Sequence, residues 1–277
     1  MGRTIYMKNV VFVPNIDLGD DRNSSYSYSI KSWKYFCDKY DCELLVWEDL
    51  LFPIEQMKIT WQRYYLFDIL DANKIEYDQI LMVDADTIVH PDCPNFFTET
   101  DRKYCGVMND GDYEWVLRSI RGFGDILFEG KRIKPWNYIN GGFQIVNETH
   151  KDFFSEMKGY YLENQDKIIE TIKELRTATD QTILNFMLVE HNIDVKILPQ
   201  CYNLSDLWRK NLLYVGEGCW WEDDLINLYN SGWVYHFNAI PKNTELNRDA
   251  NYWLQTVYKE LYNYRRPNEG SILLRNG

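Results

Sequence analysis

Two aspartates stand one residue apart in Val83-Asp84-Ala85-Asp86-Thr87, directly after the apolar run Ile80-Leu81-Met82-Val83. A short apolar run of this kind predicts a buried strand, with the acidic pair at its carboxyl end. Alternate side chains of an extended segment share a face, so Asp84 and Asp86 are expected to converge. Converging carboxylates repel unless a cation or a proton lies between them. Oxygen ligands suit Mg²⁺ or Mn²⁺. A divalent ion held there would grip a diphosphate and neutralise charge on a leaving nucleotide. The plain alternative is two solvated loop aspartates, since the string is common; the apolar strand before it sets this pair apart.

The elements that must position the pair can be read around it. Val10-Val11-Phe12-Val13, closed by Pro14-Asn15, predicts a buried strand entering a loop. Ile30, Trp33, Cys37 and Tyr40 form a helical stripe. Glu43-Leu44-Leu45-Val46-Trp47 predicts a second strand, and Ile59, Leu66, Ile69 and Leu70 mark a helix over residues 55–72. The acid-tipped strand follows. Strand, helix, strand, helix, strand implies an α/β fold with a parallel sheet covered by helices. Ligands of such sheets bind outside the carboxyl ends of the strands. Further strands are expected at residues 143–146, 195–198 and 234–237, and helices at 150–162, 165–190 and 249–264. No Pro/Gly/Ser-rich linker divides the chain. One domain over residues 1–277 is expected, with a core at about 5–245 and a C-terminal helical segment at 246–277.

Composition narrows the function classes. A net charge of −12 argues against a nucleic-acid partner, whose phosphates demand the opposite balance. No apolar run approaches the ~20 residues of a membrane-spanning helix. The opening Met1-Gly2-Arg3-Thr4-Ile5-Tyr6 has no apolar signal core, so a soluble, cytoplasmic protein is expected. Six cysteines are scattered without a CxxC pair, which predicts reduced, buried thiols rather than a zinc site. The triplets at Asn23, Asn147 and Asn203 match a glycosylation string by chance in that setting. Tyrosine (21) and tryptophan (10) are abundant, and such amphipathic rings stack on sugars as well as packing cores.

The segment Tyr77 to Val89 resembles the Asp-x-Asp segment of GT-A-fold, nucleotide-sugar-dependent glycosyltransferases, most closely the glycogenin-like and bacterial galactosyltransferase-like group. Four other segments resemble that group in the same order. Lys58 precedes the acidic strand where the group carries a basic residue near the donor diphosphate. Ile139-Asn140-Gly141-Gly142-Phe143 resembles its Asn-x-Gly strand. Asp180-Gln181-Thr182-Ile183-Leu184-Asn185 resembles its Asp-Gln-x-x-Leu-Asn helix start. His236-Phe237-Asn238-Ala239-Ile240-Pro241-Lys242 resembles its His-Phe…Lys segment. The chain departs from the pattern at Ala239, where the group often has Gly, and at Thr177, where it often has Asp. Pro241 also precedes Lys242 here instead of following it.

The resemblance implies a Rossmann-like mixed sheet flanked by helices and transfer of a hexose from a UDP- or GDP-sugar, UDP preferred, to a glycan or protein acceptor. It implies a metal on Asp84, Asp86 and His236. Imidazole among the ligands favours Mn²⁺ over Mg²⁺. Donor contacts would come from Val13, Asn15, Lys58, Asp84, Ala85, Asn140, Gly141 and Lys242. Asp180 and Asn140 would meet sugar hydroxyls, with Gln181 beneath the reacting face. The plainer readings are a helix cap for Asp180, a turn for Asn140 and a buried core histidine for His236. Residues 109–137, with Asp110, Asp112, Trp115, Trp136 and a Gly122-Phe123-Gly124 bend, would form an acceptor-side insertion.

Two other classes compete. Haloacid-dehalogenase-type phosphatases also end a strand in Asp-x-Asp. There Asp84 would be the nucleophile, Asp86 the general acid, and Glu222-Asp223-Asp224 a later acidic motif. That strand normally comes first in its domain, and here two precede it. A non-catalytic sugar-binding module of the same fold is the other. A dinucleotide-dependent dehydrogenase is disfavoured, because no GxGxxG follows the first strand.

Overall fold

The apolar runs form one twisted sheet. β1 (Val10–Pro14), β2 (Glu43–Trp47), β3 (Ile80–Val83), β5 (Tyr104–Met108), β6 (Ile139–Val146) and β7 (Val195–Leu198) are ordered β2-β1-β3-β6-β5-β7. Only β6 runs against its neighbours; β1 pairs parallel with β2 and β3, and β5 with β7. β4 (Thr87–Val89) and β8 (Val234–His236) form a separate antiparallel ribbon. This computed structural model describes residues 7–18, 26–177, 180–213, 228–241 and 248–263.

Alternation along the strands feeds two apolar layers. Val10, Phe12, Ile80 and Met82 pack with Trp61, Tyr64 and Phe154 on one face. Val11, Val13, Leu81 and Val83 pack with Trp33, Phe36 and Phe143 on the other. Each such side chain, fully buried, contributes about 1.5–3 kcal/mol. Burial on both faces is why these strands read as continuous apolar runs. Helix α1 (Ser27–Tyr40) supplies Trp33, Phe36 and Cys37 to the second layer. The C-terminal helix α7 (Ala250–Asn263) buries Trp253, Leu254, Val257 and Leu261 against Ile88, Tyr235 and Phe237, and so braces the ribbon.

Several elements differ from the sequence reading. The helix expected over residues 55–72 is divided into α2 (Ile59–Gln62), a 3₁₀ turn (Arg63–Tyr65) and α3 (Leu66–Ala72). Buried Gln62 spends its side chain on the preceding loop, accepting from Leu51 N and donating to Phe52 O and Met57 O. The two helices expected at 150–162 and 165–190 are instead α5 (Lys151–Leu175) and α6 (Gln181–Glu190). The first runs on until Arg176 enters the left-handed region at φ 50° and ends it.

The segment 109–137 is no open loop, for it holds α4 (Tyr113–Leu127), capped by Asp112 Oδ1 accepting from Trp115 N at 3.0 Å. The expected glycine bend lies inside that helix. A Cβ on Gly122 would meet Leu175 Cδ1 at 2.3 Å, and one on Gly124 would meet Lys131 O at 2.2 Å. Both glycines serve close packing rather than a turn. Strand β5 was not anticipated at all.

The described cysteines Cys37, Cys42, Cys93, Cys105 and Cys201 are free, and burial pushes the Cys42 thiol up to about 11. No helix among the described residues is long and apolar enough to cross a membrane.

Candidate functional site at the acidic turn

The ladder of β3 ends at Val83, and Asp84 to Asp86 form a turn before β4 begins at Thr87. The two carboxylates therefore converge through a turn and not through strand alternation. Thr87 Oγ1 donates to Asp84 O at 2.7 Å and accepts from Trp33 Nε1 at 2.9 Å, which pins the turn to α1. Asp84 N donates to Gly142 O at 3.0 Å, holding the turn against β6.

The β4–β8 ribbon brings a histidine from far along the chain. Its register places His236 opposite Thr87, and Phe237 N donates to Asp86 O at 2.8 Å. Asp84, Asp86 and His236 offer three ligand atoms all within 4.8 Å of one another. His236 Nε2 lies 3.2 Å from Asp86 Oδ1 and 3.6 Å from Asp84 Oδ2. That buried nitrogen makes no hydrogen bond, and a buried polar atom left without one is costly. Its other ring nitrogen, Nδ1, lies 3.2 Å from Asn203 Oδ1.

This donor set fits a divalent cation. Two carboxylates and one imidazole form a mixed oxygen and nitrogen set, and the orphaned Nε2 faces the carboxylates. Gly142 keeps the space open, since a Cβ there would sit 2.5 Å from both Asp84 Oδ2 and His236 Cε1. Burial works against a charged His236 ring, but Asp86 and Asp84, with Asp206, outweigh it and raise its pKa above 6.5.

A second charged residue stands behind the turn. Arg63 Nη1 donates to Asp84 Oδ1 at 2.8 Å and to Gly141 O at 2.9 Å, while its Nε lies 3.7 Å from Asp180 Oδ2. Burial opposes its charge, yet Asp84 and Asp180 hold it protonated above the usual arginine range. Tyr64, next in the 3₁₀ turn, donates to Asp180 Oδ2 at 3.1 Å. Burial first, and then Asp180, raise the Tyr64 phenol well above its ordinary pKa. Sequence reasoning did not single out Arg63, which carries no motif signal.

The remaining sequence-predicted residues are placed as follows. Asp180 precedes α6 without a side-chain cap bond and is turned inward, where Arg63 and Tyr64 meet it. Gln181 Oε1 accepts from Gly141 N at 2.9 Å, and Asn185 brackets Ile139 by accepting from its N and donating to its O. The Asp-Gln-x-x-Leu-Asn segment thus docks α6 onto the start of β6. Asn140 lies within that strand, buried, and its Oδ1 accepts from Gly142 N.

The cleft beside the turn is lined by Asn15, Tyr26, Thr60, Arg63, Asp84, Ala85 and Asp86 among others. Val13 is turned into the core instead. Lys58 is exposed at the start of α2 and does not line this cleft; the basic residue that does is Arg63. Lys242 and Glu222-Asp223-Asp224 lie outside the described residues.

Ala239, three residues past His236, sits at φ 55°, where glycine is at ease and alanine is strained. It is exposed, so Ala239→Gly is expected to stabilise the chain by about 1 kcal/mol in a urea melt. An unchanged or lower midpoint would contradict that strain.

No family model matches the chain, and no curated protein matches it in sequence. Solved structures resemble it. A glycosyltransferase involved in glycosylation of the major capsid of PBCV-1 superposes with a TM-score of 0.57 at 8% identity, covering 90% of this chain and 99% of its own. Mouse xyloside xylosyltransferase 1 gives 0.46 at 13% identity, over 85% and 99%. The glycosyltransferase GlyE of Streptococcus pneumoniae TIGR4 gives 0.40 at 13% identity, over 94% and 64%. At such identities the likeness is one of fold, and with the capsid glycosyltransferase it spans nearly the whole of both chains. The chain has the GT-A fold, a mixed sheet flanked by helices with Asp84, Asp86 and His236 gathered at the carboxyl end of β3.

Proposed function

We propose that the chain is a metal-dependent glycosyltransferase that moves a hexose from a nucleoside-diphosphate sugar to a glycan or protein acceptor. The observation that carries this reading is the Asp84-Asp86-His236 cluster, with its orphaned imidazole nitrogen, at the mouth of a GT-A sheet. The resemblance of the surrounding segments to UDP-using enzymes favours UDP over GDP, and the imidazole favours Mn²⁺ over Mg²⁺.

The three side chains would hold the ion. When bound, it would supply fixed positive charge against the negative charge that builds on the departing diphosphate. Arg63 keeps Asp84 oriented and links it to Asp180. The loop after β1, with Asn15, and Tyr26 across the cleft, would receive the nucleoside. Asp180, Asn140 and Gln181 would face the sugar. A hydroxyl missing from the donor strands a buried polar partner, so these residues would set donor choice. Lys58 and Lys242 remain candidates for the diphosphate, and Ala85 and Gly141 for backbone contact with the donor.

The test is a panel of UDP- and GDP-hexoses with Mn²⁺, Mg²⁺ or EDTA, read by melting temperature and by release of nucleoside diphosphate. A UDP-hexose is expected to raise the melting temperature only with metal, since a ligand at a hundred times its Kd stabilises by about 2.7 kcal/mol. A panel without any shift or turnover would contradict the reading.

Proton competition gives a further expected result. Asp86 and Asp84 raise the His236 pKa above 6.5, so the metal-free ring keeps a second proton to higher pH than a free imidazole does, and there a cation must displace it. Mn²⁺ affinity is therefore expected to climb as pH rises through and above 6.5. The stability of the metal-free chain should move the other way. The contribution from this ring is fully present below 6.5 and lost as pH rises through the folded value. Calorimetric titrations across that range check the first, and urea melts in EDTA the second.

A further inference from the structure

His236 can offer a lone pair at Nε2 only if its ring proton sits on Nδ1, and a chain of hydrogen bonds governs that choice. Gly142 N donates to Asn140 Oδ1 at 2.9 Å. A peptide N–H can only donate, so the Asn140 atom it meets is the carbonyl oxygen. Asn203 Nδ2 donates to that same oxygen at 3.1 Å. This leaves Asn203 Oδ1 turned toward His236 Nδ1 at 3.2 Å. An amide oxygen only accepts, so the imidazole proton belongs on Nδ1. Each amide orientation follows from the backbone group at the end of the chain.

The backbone fixes the distances as well. Leu204 N donates to Val234 O at 2.8 Å, and His236 N donates to Leu204 O at 3.0 Å, so residue 203 is strapped alongside β8. Asn203 has no exposed surface, and Asn140 and His236 are nearly as buried. No water can substitute for a lost partner without a cavity opening there. Asn203 also heads the triplet Asn203-Leu204-Ser205, but a fully buried amide with both its atoms engaged cannot accept a glycan in the folded chain.

We propose that Asn203 is a positioning residue: it holds the His236 imidazole in the Nδ1–H tautomer and directs the Nε2 lone pair at the space shared with Asp84 and Asp86. Asn140 and the Gly142 amide fix the orientation of Asn203 in turn. The consequence for metal binding rests on the reading given under Proposed function; the tautomer itself does not. Partners of this kind on the distal nitrogen of a metal-binding histidine are typically worth 10- to 100-fold in affinity.

Long-range proton–nitrogen correlation NMR on the metal-free chain, recorded where the ring is neutral, is expected to place the His236 proton on Nδ1. Asn203→Leu should lose that preference and weaken Mn²⁺ binding by about 10- to 100-fold in calorimetry. Asn203→Asp keeps an acceptor facing Nδ1, although it sets an oxygen against Asn140 Oδ1, and should retain the tautomer and bind Mn²⁺ more tightly than Asn203→Leu. A purely packing role would rank the two the other way, because Asp adds a buried charge. A proton on Nε2 of the wild type overturns the proposal, as does equal Mn²⁺ affinity in the wild type and Asn203→Leu. A wild type that takes up no Mn²⁺ overturns the metal reading alone, while its NMR spectrum still decides the role of Asn203. That spectrum requires no variant, so the decision stands even where Asn203→Leu fails to fold.

Discussion

Asp86→Asn is expected to lower the proposed glycosyl transfer about a thousandfold or more and to abolish the rise in melting temperature expected of the wild type with Mn²⁺. The amide keeps the shape of the carboxylate but loses its charge. Asp86 Oδ1 is the nearer of the two carboxylate atoms to His236 Nε2, at 3.2 Å, so it faces the centre of the cluster. A single preorganised charge contact in a closed site is commonly worth about 3 kcal/mol in the transition state, and loss of the cation removes several at once. The effect should fall on kcat, because the charge that needs stabilising exists only as the leaving diphosphate departs. The metal-dependent melting shift separates this from misfolding. Turnover within tenfold of the wild type, with the shift preserved, would contradict the assignment.

Arg63→Leu is expected to destabilise the metal-free chain by about 3–5 kcal/mol, the usual effect of leaving buried charges uncompensated. Asp180 is 4% exposed at its side chain and Arg63 10%, so water cannot take over the lost pairing. Asp84, at 26%, is partly screened and counts for less. The Gly141 carbonyl keeps Gln144 Nε2 as a donor, so it is not orphaned. Arg63→Lys retains the charge but cannot reach two carboxylates and a carbonyl with one ammonium, and an intermediate loss is expected. Urea melts in EDTA measure both. Added Mn²⁺ should recover part of the loss, since the cation compensates Asp84. A loss below about 1 kcal/mol for Arg63→Leu would show that the remaining partners of the aspartates, Tyr64 at Asp180 among them, suffice, and that the guanidinium does not organise the site.

β1 and β3 were readable because strands buried on both faces are short apolar runs. β2, whose residues are exposed or only half-buried, was readable from its short apolar stretch after Glu43. The acid pair was readable because it interrupts such a run abruptly. His236 was reached through its resemblance to a known segment, and the strand that carries it was readable at 234–237; its nearness to Asp86 comes from pairing with the three-residue β4, which left no such trace.

Arg63 shows the limit of local reading. Nothing in Trp61-Gln62-Arg63-Tyr64 marks the arginine as buried. Its partners Asp84 and Asp180 are brought to it only by tertiary packing, and the 3₁₀ turn that aims it interrupts what reads as a plain helix. Helix α4 was hidden for a related reason. Gly122 and Gly124 look like breakers, yet each is demanded by a neighbour pressed against the helix. A single sequence does not distinguish a glycine that bends a chain from one that lets another segment approach.

Electron paramagnetic resonance of Mn²⁺ tests the metal cluster most directly. With the wild-type chain and UDP in slight excess, the spectrum of the free hydrated ion is expected to vanish, and with Asp86→Asn under the same conditions it should persist. A free-ion spectrum that survives the wild type, or one that vanishes equally with Asp86→Asn, would show that Asp84, Asp86 and His236 do not hold a cation for a diphosphate.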